Sequence, residues 1–307
     1  MTNYKFIQCD VFTDQLFAGN PLAVFHDEVA NQTLDDTTMQ KIAREMNLSE
    51  TVFVLPPSDP TKALKRLRIF TPGTELPMAG HPVVGTWNML ARLGVVAPPA
   101  SGTGCITIQQ EIKLGILPVD IDFADGQPVK VTMTQGTPSV GEPLDEVALC
   151  ARALSLQADE IGGWGLPIVL ASTGVPYQII PVRDKAALSR IRINSQALAE
   201  VILKVDDHAV YVVTRETHAP HAFVSARMFA GESIGVGEDP ATGSAAGPCA
   251  AALVHYGLAP SRFVIEQGVD MGRPSYIKAE VEGETGTVKV VRIGGNAVVV
   301  LRGEMKL

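Results

Sequence analysis

Short runs of alternating apolar and polar residues, broken by glycine and proline turns, dominate the chain, and few stretches carry the three-to-four spacing of an amphipathic helix. The alternation predicts strands over residues 4–11, 22–25, 52–55 and 64–70, and further strands over 106–109, 112–117 and 129–134. Before the third strand, Asp35 or Asp36 can cap a helix whose buried face is Met39, Ile42, Ala43 and Met46, ending near Asn47. Glu50 then falls at a helix-to-strand corner, from which a side chain can point into a cleft. Residues 137–143 read as a turn-rich connector. Beyond it, helices are predicted over 144–154, 195–203 and 244–256, and strands over 176–182, 209–214 and 222–228. The tail reads as strands over 263–266, 276–281, 288–293 and 297–301. Strands dominate without a regular strand-helix alternation, which defines an α+β class.

Two stretches share one design. Pro77-Met78-Ala79-Gly80-His81-Pro82-Val83-Val84-Gly85-Thr86 leads into a helix-like run over 87–94, and the glycine-rich stretch 235–247 leads into the apolar run 249–254. Thirteen positions separate His81 from Gly94, and thirteen separate Ser244 from Gly257, so Gly80-His81 matches Gly243-Ser244. Upstream of each, a Gly-x-Pro turn feeds an apolar strand, at Gly19-Asn20-Pro21 and at Gly174-Val175-Pro176. This order is that of a duplication, with one lobe over 1–136, a second over 137–295, and residues 296–307 returning to complete the first. Each lobe is expected to aim a helix N-terminus at a shared cleft. Thr242 or Ser244 can cap the second helix, and the backbone N–H groups of both starts would attract an anion.

Composition narrows the classes. A net charge of -8 without long runs of one sign argues against a nucleic-acid surface. The first residues lack a basic start followed by an apolar core, and no apolar run reaches membrane-spanning length, so a cytoplasmic protein is expected. Cys9, Cys105, Cys150 and Cys249 lie far apart and are read as buried free thiols, with neither a zinc site nor a disulfide framework.

Nucleotide motifs are missing: the glycines over 231–237 have the wrong spacing for a dinucleotide loop, and no glycine-rich loop ends in Gly-Lys-Ser/Thr. No cofactor is therefore expected. His218-Ala219-Pro220-His221 reads as a pair at a strand end, without a third metal ligand. Ser244 lacks the elbow of a serine nucleophile. What remains on turns is Glu50, His81, Asp239 and Ser244, a set suited to acid-base chemistry on a substrate whose carboxylate the Gly80 and Gly243 helix starts would hold. On spacing alone Glu50 also reads as a solvated corner residue, His81 as a turn histidine and Asp239 as a turn former before Pro240.

Four separated motifs carry a resemblance. They are Asp10-Val11-Phe12 with Gly19-Asn20-Pro21-Leu22-Ala23-Val24-Phe25, then Asn47-Leu48-Ser49-Glu50-Thr51, then Phe70-Thr71-Pro72 with Ala79-Gly80-His81-Pro82, then Gly237-Glu238-Asp239-Pro240-Ala241-Thr242-Gly243-Ser244-Ala245. In these the chain resembles the PhzF-like phenazine biosynthesis family, which shares its fold with diaminopimelate epimerase. The resemblance implies two lobes, each a barrel-like, mostly antiparallel sheet around a central helix, and commonly a homodimer. It implies cofactor-free isomerisation of a small carboxylated substrate such as trans-2,3-dihydro-3-hydroxyanthranilate. Glu50 matches the family's general acid/base, and His81, Asp239 and Ser244 match residues lining its substrate pocket. At the two helix starts, where related epimerases use a cysteine pair, this chain has His81 and Ser244, which disfavours a two-thiol epimerisation. The alternatives are an epimerase, racemase or lyase acting on another small amino or hydroxy acid, and a binding protein without chemistry.

Overall fold

The structure, a computed structural model, describes residues 2–204, 209–231 and 237–307. Gly235 and Val236 of the second glycine-rich stretch, and most of the rejected nucleotide motif, lie outside the described residues. The chain divides into two compact units, one of Met1–Thr134 with Gly294–Leu307 and one of Gln135–Ile293.

In the first unit, Asn3–Val11 pairs antiparallel with Ala297–Lys306 on one side and with Asn20–Phe25 on the other. Asn20–Phe25 then runs parallel to Glu50–Leu55, which pairs antiparallel with Lys65–Phe70. Lys65–Phe70 runs parallel to Gly104–Ile112, and two hairpins continue to Gly115–Ala124 and Gln127–Thr134. The parallel steps need crossovers. The first is supplied by Glu28–Asn31 and Asp36–Met46, the second by the helix Gly80–Arg92. Asp35 caps Asp36–Met46 by accepting from Thr38 N–H at 2.7 Å, and Asn47 ends it in the left-handed region at φ 49°. Asn31, fully buried, donates from Nδ2 to the Phe25 and Val54 carbonyls and so ties the two parallel strands together.

The helix Gly80–Arg92 is the core of this unit: every residue from Gly80 to Ala91 is buried, and strands on several sides pack against it. Val83, Val84, Met89 and Leu90 are almost wholly removed from water, worth about 1.5–3 kcal/mol each. Trp87 satisfies its indole by donating Nε1–H to Gln110 Oε1 at 2.7 Å. Gly85 is required by close approach, since a Cβ there would stand 2.6 Å from Val11 Cγ2 and 2.7 Å from Leu22 Cδ2.

The second unit repeats this order. Ser139–Pro143 and Val169–Ser172 pair antiparallel, then Val169–Ser172 with Pro176–Pro181, which runs parallel to Ala209–Thr214. Ala209–Thr214 pairs antiparallel with Val224–Ala230, which runs parallel to Arg262–Gln267, and Ser275–Glu284 pairs antiparallel with Arg262–Gln267 before the last strand of the unit, Thr287–Gly295. Helices Lys185–Arg190 and Ser195–Lys204 stand where Glu28–Asn31 and Asp36–Met46 stand, and the buried central helix is Gly243–His255. Both central helices end alike. Val95 N–H reaches Leu90 O at 2.9 Å past Gly94, and Leu258 N–H reaches Leu253 O at 2.8 Å past Gly257. An arginine-glutamate pair is also repeated, Arg68 with Glu75 and Arg227 with Glu238, with each guanidinium over the ring of the phenylalanine two residues on.

Three expectations change. The connector over 137–143 contains the strand Ser139–Pro143, whose residues are mostly exposed and so show no apolar alternation. The strand expected over 112–117 is broken by a hairpin turn at Lys113-Leu114, where Ile112 pairs with Gly115 at φ +136°. Cys105 is exposed, whereas Cys9, Cys150 and Cys249 are buried, and all four are free thiols.

Candidate functional site

In the first unit three segments bring side chains to one end of the sheet. Glu50 is the first residue of Glu50–Leu55, Asn20 the first of Asn20–Phe25, and His81 the second residue of the central helix. The parallel register places Leu22 opposite Glu50, so the two strand starts lie side by side. Gly19, at φ +64°, makes the turn into Asn20, and a Cβ there would lie 2.3 Å from Val11 O.

His81 Nε2 lies 3.0 Å from Glu50 Oε2, with 5% of the histidine side chain and 14% of the glutamate side chain exposed. On the other side of the ring, Asn20 Nδ2 lies 3.3 Å from His81 Nδ1. With the amide N–H donating, Nδ1 accepts and the ring proton sits on Nε2, facing the carboxylate. The Nε2 to Oε2 approach is short, and the carboxylate oxygen is buried against the ring. The helix beginning at Gly80 has Ala79 at its N-cap and no side chain capping it. Its first backbone donors are thus not taken by a cap, the arrangement that suits an anion.

In the second unit Asp239 belongs to the short strand Glu238–Asp239, paired opposite Met228, and is buried. Its Oδ2 accepts from Thr242 Oγ1 at 2.6 Å. Thr242 does stand at the N-cap of Gly243–His255, but its hydroxyl is turned to Asp239 and bonds no helix N–H. Ser244 is not a cap either. It is the second residue inside the helix, and its Oγ shares a hydrogen bond of 2.8 Å with the hydroxyl of Tyr177. Beneath the helix start, Gln135 Nε2 donates to Gly243 O at 2.8 Å, while Thr173 Oγ1 donates to Gln135 Oε1 at 2.6 Å.

The structure therefore gathers Glu50, His81 and Gly80 at one helix start, and Asp239, Ser244 and Gly243 at the other. Asn20, Tyr177, Gln135, Thr173, Tyr211 and Gln267 join them without having been singled out as site residues. Asn20 sits in a Gly-x-Pro turn and Tyr177 follows the matching one, which was the available signal. The other four are polar residues in apolar strands or at their ends.

The remaining candidates are held elsewhere. His218 Nδ1 lies 3.1 Å from buried Glu266, and His221 rests on the ring of Tyr276 at 4.5 Å. Among the described residues no cluster of three or more acidic, histidine or cysteine side chains has the arrangement of a metal site. Burial pushes the Cys249 thiol far up from its ordinary value, so it stays protonated and cannot supply a thiolate. Among the described residues no helix is long and apolar enough to cross a membrane.

This is the α+β, diaminopimelate epimerase-like fold, and the class it defines here is an isomerase. The model of the phenazine biosynthesis-like protein family matches residues 9–303, and the chain belongs to that family. An uncharacterized isomerase of Mesorhizobium japonicum is 41% identical over 315 residues, spanning 99% of each chain. The trans-2,3-dihydro-3-hydroxyanthranilate isomerase of Pseudomonas aeruginosa is 35% identical over 306 residues, spanning 99% of this chain and 100% of its own. Among solved structures, a Bacillus anthracis phenazine biosynthesis protein of the PhzF family aligns over 100% of both chains at 26% identity, with a TM-score of 0.87.

Proposed function

We propose that this chain is a cofactor-independent isomerase that shifts a proton and a double bond on a small carboxylated substrate, of the kind of trans-2,3-dihydro-3-hydroxyanthranilate. The observation that carries this reading is the Glu50 to His81 contact of 3.0 Å at an uncapped helix start. Glu50 takes a proton from one carbon, the electron pair of that C–H bond forms the new double bond, the pair of the old double bond moves to its far carbon, and the protonated carboxyl returns a proton there. His81, Asp239 and Ser244 orient the substrate, and the Gly80 and Gly243 helix starts hold its carboxylate. Acid-base transfer by a positioned carboxyl group is worth about 10²–10⁴ in rate. The substrate is the one in the name of a relative that aligns over essentially the whole length of both chains. A homodimer, the assembly that the family resemblance implies, is expected in sedimentation experiments.

The test is proton NMR of trans-2,3-dihydro-3-hydroxyanthranilate in D₂O with the protein. Conversion with deuterium entering at carbon supports the reading. Unchanged substrate removes this compound and turns the search to other small amino or hydroxy acids.

A further inference from the structure

Asp239 is held by a buried chain of hydrogen bonds whose direction can be worked out from its backbone end. The Thr242 N–H can only donate, and it donates to Gln267 Oε1 at 3.1 Å. That sets the amide, because Gln267 Nε2 then faces the Asp239 carbonyl at 2.7 Å and Thr242 Oγ1 at 3.0 Å. The opposite orientation would put an NH₂ against an N–H and a carbonyl oxygen against a carbonyl oxygen. Tyr211, whose ring is fully buried, donates its hydroxyl to the same Gln267 Oε1 at 2.9 Å. Thr242 Oγ1, already accepting from Gln267, has one proton left, and it points to Asp239 Oδ2 at 2.6 Å. Tyr211, Gln267, Thr242 and Asp239 are all buried, so water competes poorly for these bonds.

We propose that Thr242, oriented by Gln267 and Tyr211, is a positioning residue that keeps Asp239 a deprotonated hydrogen-bond acceptor. This rests on the assignment of Asp239 to the substrate site, and it sharpens that role: Asp239 receives an N–H or O–H of the substrate and does not act as an acid. The matching positions of the first unit cannot form such a chain. In the register that matches Gly80-His81 to Gly243-Ser244, Leu76 stands for Asp239 and Ala79 for Thr242. The chain is an addition to the repeated scaffold and is not part of the scaffold's own bracing. A purely structural role is separable, because the Gln267 bonds to the Asp239 carbonyl and the Thr242 N–H persist without the threonine hydroxyl.

Among the described residues, the titratable groups that act on Tyr211 are Cys249 of the central helix, Asp239 and Tyr177, and burial raises both Tyr211 and Cys249. The adjacent charged pair is Arg227 with Glu238. Burial keeps Tyr211 and Cys249 protonated near neutral pH, so neither adds a charge beside Asp239.

The experiment follows the aspartate side-chain carboxyl carbons by NMR in the full chain, with the Asp239 signal identified by its loss in Asp239→Asn. In Thr242→Val, Asp239 is expected to protonate about one pH unit or more above its wild-type midpoint, as loss of a hydrogen bond to a charged group requires. Thr242→Ser, which restores the hydroxyl, is expected within about 0.3 units of wild type. Equal midpoints in wild type and Thr242→Val overturn the proposal, as do equal displacements in the valine and serine variants. Tyr211→Phe removes only the far hydroxyl and is expected to shift the midpoint upward by less. Should Thr242→Val not fold, an unshifted midpoint in Tyr211→Phe overturns the proposal. The titration needs no substrate, so its failure is distinct from that of the isomerase reading, which the deuterium experiment tests.

Discussion

At the head of the strand that follows the outer helices, the first unit carries Glu50 and the second carries Ala209. At the second residue of the central helix the pair is His81 and Ser244, and at the middle of the Gly-x-Pro turn it is Asn20 and Val175. Both units keep the order of strand pairings, the uncapped central helix with its glycine end, and the arginine-glutamate pair. The repeat has therefore preserved what folds each unit and diverged at the residues to which the proposed chemistry is assigned. Among the described residues, the helix start of the first unit carries Glu50 and His81, and that of the second carries Asp239 with the hydroxyls of Ser244 and Tyr177. One base that both withdraws and returns a proton suits a double-bond shift. Inversion by two bases would call for a second such group; at the position that matches His81 the second unit has Ser244, bonded to Tyr177.

The largest effect that would break this comparison is on turnover. Glu50→Gln is expected to lower kcat by about 10²–10⁴ with the fold intact, while Ser244→Ala costs about tenfold, the loss of one neutral hydrogen bond. Equal losses in steady-state assays would erase the asymmetry. Next in size is a test of the shared scaffold. Gly85→Ala, which forces a Cβ against Val11 and Leu22, is expected to cost about 1–3 kcal/mol in denaturant unfolding.

The smallest effect is electrostatic. The hydrogen bond from Arg68, opposed by burial, holds the Glu75 carboxyl below its ordinary range. A carboxylate depressed in the folded state stabilises above its unfolded value, about 4.3, and that contribution is lost as the pH falls through the lower folded value. Glu75→Gln is therefore expected to be less stable than wild type at pH 6, with the gap closing below about pH 4, as urea titrations across that range would read.

Much of this was legible in the sequence because local rules and tertiary needs agree there. Asp35 and Asn47 bound a helix with one apolar face, and the chain folds it so. The duplication was legible in the spacing of glycines, since Gly94 and Gly257 both end a central helix at positive φ. Ser139–Pro143 was not legible, because an exposed strand is held by its backbone pairing and leaves no mark on side-chain alternation. Around the site, Glu50, His81, Asp239 and Ser244 stood out as polar residues on turns. Their partners did not: the Gln267 and Tyr211 contacts join residues more than twenty positions apart, and only the folded sheet, with Val224–Ala230 between Ala209–Thr214 and Arg262–Gln267, brings them together. Thr242 was visible as a cap and is one by position, but its hydroxyl prefers a carboxylate three residues back.

The central claim, that Glu50 is the base that moves the proton, is tested most directly by solvent deuterium exchange at the substrate carbon, followed by NMR in Glu50→Gln and Ser244→Ala side by side with wild type. The account predicts background exchange in Glu50→Gln and slowed but clear exchange in Ser244→Ala. Exchange at the wild-type rate in Glu50→Gln, or silence in both variants, would contradict it.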